Sequence, residues 1–278
     1  MTPPREPAAI ALVFDFDDTL APDSTSKVLE AIGLDPPAFW ARHRTLLEHG
    51  WDQVPAYMHM MLDESRARGG AITRDLIETV GRRLRFYPGV TTMFTRYKQL
   101  IESDDRFQAH FYVISSGLGD LIRATRIHPS LTDAWGSDFA YDDTGAICAI
   151  KNAISFSDKT RYLFQISKGQ IGPAARTNPF VVNDRVQDYP VPLSQVVYVG
   201  DGYTDIPCFH LVQETFNGVA LGVFDASDRK KIGKAFGLVK ADRVRQINSA
   251  NYTRGGGADD YIQAAITHIK GRILEEGG

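Results

Sequence analysis

The sequence predicts a three-layer α/β core, a parallel sheet covered by helices on both faces, with a helical domain inserted into it. Three observations predict this. Residues 8–14, 109–114, 196–199 and 219–223 form apolar runs of strand length. They lack the alternation of a half-solvated strand, so they read as strands buried on both faces. Helical patterns separate them, over residues 90–101, 118–127 and 159–166, and buried strands alternating with helices imply a parallel sheet. Residues 22–85 differ, with four helix-like stretches at 27–32, 39–48, 54–68 and 75–84 and no strand candidate. The expected division is therefore a core of residues 1–21 and 86–278, with a helical insert at 22–85. Tyr87-Pro88-Gly89 marks the return to the core.

Smaller elements follow. Residues 137–151 read as a hairpin turning at Asp143-Thr144-Gly145. Residues 169–194 hold several prolines and read as a long loop. Ile262, Ile266, Ile269 and Ile273 form one stripe, with Asp259 and Asp260 before it and Lys270 and Arg272 near its end. That is an amphipathic helix with charges matched to its dipole.

Composition narrows the functional classes. The chain has 278 residues, 43% of them hydrophobic, enough to bury a sizeable core. A net charge of −3 without any lysine- or arginine-rich block gives no electrostatic support for binding nucleic acid or a membrane surface. Cys148 and Cys208 lie far apart, in no C-x-x-C pair and in no zinc-like cluster, so both are expected to be reduced, buried thiols in a reducing compartment. Residues 1–9 lack the basic start and apolar run of a secretory signal. No apolar stretch approaches the roughly 20 residues needed to span a bilayer. A soluble, cytoplasmic protein is the expectation.

Three strand candidates end in a polar residue, at Asp15, Ser115 and Asp201. Ligands of open parallel sheets bind at the carboxyl ends of strands, so these residues should converge. In Asp15-Phe16-Asp17-Asp18-Thr19, alternation puts Asp15 and Asp17 on one side. Two close carboxylates can divide roles, the ionised one as nucleophile and the protonated one as acid. Ser115-Ser116-Gly117, read as a strand-to-helix turn, offers hydroxyl and N–H groups to a phosphate oxygen. Lys159 falls in the first turn of a helix, where it opposes the dipole, but a cation there would offset the aspartates. Gly200-Asp201-Gly202-Tyr203-Thr204-Asp205 combines a tight turn with two carboxylates. Thr204 is placed to cap the next helix, and Pro207 sits where no N–H is needed. Asp15, Asp17, Asp201 and Asp205 in one cleft would require a divalent cation as well as Lys159.

These four motifs, in this order, resemble those of the haloacid dehalogenase superfamily, over residues 10–223. The resemblance implies a Rossmann-like core and a phosphatase acting on a small-molecule phosphate ester with Mg2+. Asp15 would form an aspartyl-phosphate, and Asp17 would protonate the leaving group and then activate water. Ser115, Ser116, Gly117 and Lys159 would bind the phosphoryl oxygens. Asp15, the Asp17 carbonyl and Asp201 would hold the metal, with Asp205 beside them. The helical insert resembles the C1 cap of the phosphoserine phosphatase-like branch, in which an acidic residue after the first motif contacts the substrate's amino group; Asp23 is the candidate. Arg82, Arg83 and Arg85 are candidates to face an anionic substrate. The Tyr57-Met58-His59-Met60-Met61 run is a candidate pocket wall or insert core. A phosphotransferase of the same fold and a non-catalytic binding protein are the rival readings. The motifs do not separate the first from a phosphatase, and the intact aspartate cluster argues against the second.

Overall fold

The computed structural model describes residues 6–277; residues 1–5 of the proline-rich start lie outside them. Seven strands form one sheet: β1 (Ala8–Phe14), β2 (Phe107–Leu118), β3 (Asp133–Tyr141), β4 (Ile147–Asn152), β5 (Val196–Gly200), β6 (Val219–Phe224) and β7 (Ile247–Ser249). Their order is β4-β3-β2-β1-β5-β6-β7. All neighbours are parallel except β3 and β4, which form the expected hairpin.

The alternation of the central strands divides their side chains between two cores. In β1, Ile10, Leu12 and Phe14 face one side, while Ala9, Ala11 and Val13 face the other. In β5, Val197 and Val199 join the first core, and Val196 and Tyr198 the second. The first core is covered by α5 (Val90–Ile101) and α11 (Gly257–Gly277), through Met93, Phe94, Ile262 and Ile266. The second is covered by α7 (Asp158–Ser167), α9 (Ile206–Phe209) and α10 (Arg229–Lys240), through Leu163, Ile166, Phe209 and Leu238. Each fully buried Leu, Ile, Val or Phe contributes about 1.5–3 kcal/mol of transfer free energy. This is why the runs read as strands covered on both faces.

The insert consists of α1 (Ser24–Ala31), α2 (Pro36–Glu48), α3 (Gln53–Ala67) and α4 (Arg74–Arg83). Each begins with a side-chain cap, from Asp23, Asp35, Asp52 and Thr73 respectively, each contributing about 1 kcal/mol. Val28, Leu29, Phe39, Met58 and Met61 are buried in continuity with the first core.

Several expectations need correction. Ser115, Ser116 and Gly117 do not form a strand-to-helix turn, because β2 runs on through Leu118. The helix expected at 118–127 shrinks to α6 (Gly119–Arg123). Residues 169–194 are not featureless, since they hold α8 (Gly172–Thr177). Cys208 is buried but Cys148 is exposed, because it sits on β4 at the edge of the sheet. Among the described residues, no helix is long and apolar enough to cross a membrane.

Candidate active site

The carboxyl ends of β1, β2 and β5 bring together what lies apart in sequence. The Asp15 N–H continues the ladder, donating to the Val199 carbonyl at 2.8 Å. Alternation then turns the Asp15 side chain toward the face covered by α7, where Lys159 waits. Lys159 Nζ lies 3.0 Å from Asp15 Oδ1 and 2.7 Å from Asp205 Oδ1. Lys159 and Asp205 have no exposure, and Asp15 only 5%. Burial opposes the Lys159 charge, but Asp15 and Asp205 hold its pKa above that of a free lysine. Burial also pushes the Asp15 carboxyl well up, and Lys159 opposes that shift.

Asp205 is fully engaged. Its Oδ1 accepts from Lys159 and from the Tyr198 hydroxyl at 2.7 Å. Its Oδ2 accepts from the Asp201 and Gly202 N–H groups at 3.1 and 3.0 Å. It fastens the loop after β5 to Lys159, so its role is to position the loop and the lysine. Gly200 permits this, since a Cβ there would lie 2.4 Å from Asp205 Cγ. The helix cap expected from Thr204 is not made, because Asp205 organises the turn instead.

Asp17 Oδ1 accepts from the Ser24 N–H at 2.7 Å. Burial, and then repulsion from Asp23, raise the Asp17 pKa to about 7, against the lowering effect of Ser24. A carboxyl so tuned suits an acid–base role near neutral pH. β2 passes close beside it: a Cβ on Gly117 would lie 2.3 Å from Asp17 Oδ2, so glycine leaves the carboxylate in place where a larger residue would displace it. Ser115 Oγ accepts from the Gly117 N–H at 2.9 Å, leaving its own proton free to donate. Ser116 Oγ is buried without a protein partner. These groups, with Asp15, Asp17 and Asp201, line a cavity of about 250 Å³. An oxyanion placed there would meet unused donors.

The residues fit a hard divalent cation. Carboxylate oxygens of Asp15, Asp201 and Asp205 lie within 4.8 Å of one another. Lys159 and the Phe16 N–H occupy Asp15 Oδ1, and Lys234 occupies Asp201 Oδ2 at 2.8 Å. Asp15 Oδ2 and Asp201 Oδ1 have no donor among the described residues. Burial raises the Asp201 carboxyl to about 6, with Asp205 and Asp18 adding to the shift and Lys234 opposing it. Two free oxygens of this kind match what Mg2+ takes from a protein.

Several side chains at the site were not legible in the sequence. Lys234 and Lys231 come from α10; Lys231 Nζ lies 2.7 Å from Asp18 Oδ1. The available signal was the basic run Arg229-Lys230-Lys231 with Lys234 one turn on. Trp40, His43, Gln53 and Val54 line the insert's side of the cavity, with Tyr57 and Asp23. Of the 57–61 run, only Tyr57 reaches the cavity; Met58, Met60 and Met61 are insert core. His59 lies at the surface, 3.3 Å from Asp63. Arg82, Arg83 and Arg85 are not at the site. Arg82 pairs with Asp75 and Glu78, and Arg83 and Arg85 line a separate groove.

Comparison with known proteins agrees with this geometry at the level of the fold. No protein-family profile matches the chain. An uncharacterized protein of Borreliella burgdorferi is 23% identical over 284 residues, covering 92% of this chain and 96% of its own. A HAD-family hydrolase from Salmonella enterica superposes with a TM-score of 0.53 at 16% identity, over 88% of this chain and 68% of its own. A phosphoserine phosphatase, as an analogue of its phospho-aspartyl intermediate, gives 0.51 at 13% identity, over 86% and 93%. The fold is thus the one these HAD-family hydrolases share.

Proposed function

We propose that this protein is a Mg2+-dependent phosphatase of the haloacid dehalogenase type, hydrolysing a small phosphate monoester through an aspartyl-phosphate on Asp15. The observation that carries the proposal is the convergence of a buried Asp15–Lys159–Asp205 network with Asp17 and the unused donors of Ser115 and Ser116. A purely structural acidic turn has no need of a fully buried lysine. That a phosphoserine phosphatase of the same fold is seen as an analogue of a phospho-aspartyl intermediate supports the assignment.

Asp15 and Asp201 carboxylates, with the Asp17 main-chain carbonyl, would hold Mg2+, which supplies charge neutralisation for the phosphoryl oxygens. The Asp15 carboxylate attacks phosphorus while the P–O bond to the alcohol breaks. Asp17 gives its proton to the departing oxygen. Ser115 Oγ–H, Ser116 Oγ–H and the third Lys159 N–H are left to hold the phosphoryl oxygens. Asp17, now a carboxylate, takes a proton from water as that water attacks the aspartyl-phosphate. Inorganic phosphate leaves and Asp15 is restored. The four-helix insert acts as a cap, placing Tyr57, Trp40 and Asp23 over the leaving group and excluding bulk water during transfer.

The test is p-nitrophenyl phosphate hydrolysis by wild type and Asp15→Asn, with Mg2+ and with chelator. Turnover that needs both metal and Asp15 is expected. Equal rates in D15N, or rates indifferent to chelation, would refute the mechanism.

A further inference from the structure

The insert's side of the cavity has a one-sided chemistry. Trp40, Tyr57 and Asp23 line it, with His43 and Gln53 beside them. Lysine appears among the lining groups only as Lys234, which is committed to Asp201 at the metal end. Arginine does not appear at all. The cations around the site are likewise committed, Lys159 to Asp15 and Asp205, and Lys231 to Asp18. Asp23 has no cationic partner among the described residues.

The rings are fixed, and their polar ends are already used. Trp40 Nε1–H donates to Ser26 Oγ at 2.8 Å. Ser26 Oγ–H in turn donates to Asp23 Oδ2 at 2.5 Å, and the Ser26 N–H to Asp23 Oδ1 at 3.0 Å. One serine therefore locks the indole to the carboxylate. The Tyr57 hydroxyl donates to the Ser116 carbonyl at 2.7 Å, tying its ring to the phosphate-binding strand. The Trp40 and Tyr57 ring centroids are 6.1 Å apart with planes at 62°, so the two rings form a corner. With the N–H and O–H groups spent, what remains to meet a leaving group is aromatic surface and a carboxylate, Asp23, that has hydrogen-bond donors but no cationic partner among the described residues. That is the chemistry that recognises an alkylammonium ion.

We propose that the substrate's leaving group is a compact cationic alcohol, so that the natural substrate is the phosphate monoester of an amino alcohol, its ammonium held by Trp40, Tyr57 and Asp23. This rests on the phosphatase reading above. An alcohol bearing a carboxylate, as in serine phosphate, would bring a buried anion against Asp17 and Asp23 with no cation to receive it. A neutral polyol would bring no cation to Asp23 and no charge to the aromatic faces.

The experiment compares kcat/KM for choline phosphate, ethanolamine phosphate, serine phosphate and glycerol 3-phosphate, with p-nitrophenyl phosphate as the generic ester. At least one of the two purely cationic esters should exceed serine and glycerol phosphates by about tenfold or more, as expected for a desolvated cation–π contact. Trp40→Leu and Asp23→Asn should collapse that preference through KM, and Trp40→Phe should restore most of it. Calorimetric titration of choline into metal-free protein gives a readout independent of turnover, with saturable binding weakened in D23N. Equal kcat/KM across the four natural esters, or losses in W40L and D23N that are the same for all esters, would overturn the proposal. If no ester is hydrolysed, p-nitrophenyl phosphate included, the phosphatase reading fails. Choline binding then decides the cation site alone, and its absence overturns that too.

Discussion

Lys159 and Asp205 lie 46 residues apart in the chain and meet at 2.7 Å, both without solvent exposure. Neither charge is tolerable in that place alone. Truncating one member of a buried pair typically costs about 3–5 kcal/mol, and removing the Asp205 charge leaves Lys159 with Asp15 alone. Asp205→Asn is expected to lose stability on that scale in urea denaturation, as well as activity. Tyr198→Phe removes only a neutral donor to Asp205 and should cost about 1 kcal/mol. Equal denaturation midpoints for D205N and wild type would mean that Asp205 does not hold the lysine.

Asp17, as the proposed general acid, is expected to divide the esters by leaving group. Asp17→Asn should lower kcat for an alkyl phosphate by about 10²–10⁴-fold, the range for a positioned general acid. The first half-reaction of p-nitrophenyl phosphate should suffer far less, since its leaving oxygen needs little protonation. A rapid-quench burst in D17N with p-nitrophenyl phosphate, followed by slow steady-state turnover, would show this. Identical losses for the burst with both esters would place Asp17 outside proton transfer.

Metal should stabilise the fold as well as support turnover. The clustered Asp15, Asp201 and Asp205 carboxylates repel one another, and a cation that binds only the folded state adds about 2.7 kcal/mol at a hundredfold excess over its Kd. Thermal melts are expected to shift upward with Mg2+ and back with chelator, and Asp201→Asn should lose most of the shift. A melt indifferent to Mg2+ would contradict the assigned ligands.

Gly117 is a steric condition of the site. In Gly117→Ala the new methyl would lie 2.3 Å from Asp17 Oδ2 and 3.2 Å from Ser115 Oγ. Overpacking of this kind costs about 1–3 kcal/mol, so the fold should survive while Asp17 is displaced. Turnover at least about tenfold below wild type is expected, with an unchanged far-ultraviolet circular dichroism spectrum. Full activity in G117A would show that β2 can move away from Asp17 without penalty.

The sequence by itself determined the sheet and which polar residues stand at the carboxyl ends of its strands. Apolar runs such as residues 8–14 and 196–199 read as strands covered on both sides, because they are of strand length and nothing in them is fit to face water. Alternation along an extended chain puts Asp15 and Asp17 on one side whatever the rest of the fold does. Helical periodicity without strand candidates marked residues 22–85 as helical, and α1 to α4 lie there. These are local properties, set by backbone geometry and by a few neighbouring side chains.

Tertiary structure decided the rest. Asp205 belongs with Asp201 in sequence, and only the approach of α7 and Tyr198 reveals that its oxygens are spent on holding Lys159 and the loop. Ser115 to Gly117 continue the strand, because pairing with β3, resumed at Leu118 and Ser137, outlasts the local turn signal. Lys231 reaches Asp18 across 213 residues of sequence, and Lys234 reaches Asp201 the same way. Trp40 became a wall of the site only when Ser26 tied it to Asp23. A long-range contact of this kind depends on how helices pack on a finished sheet. Local pattern gives no more than the basic run at residues 229–234, because each partner alone is an ordinary surface lysine or core aromatic.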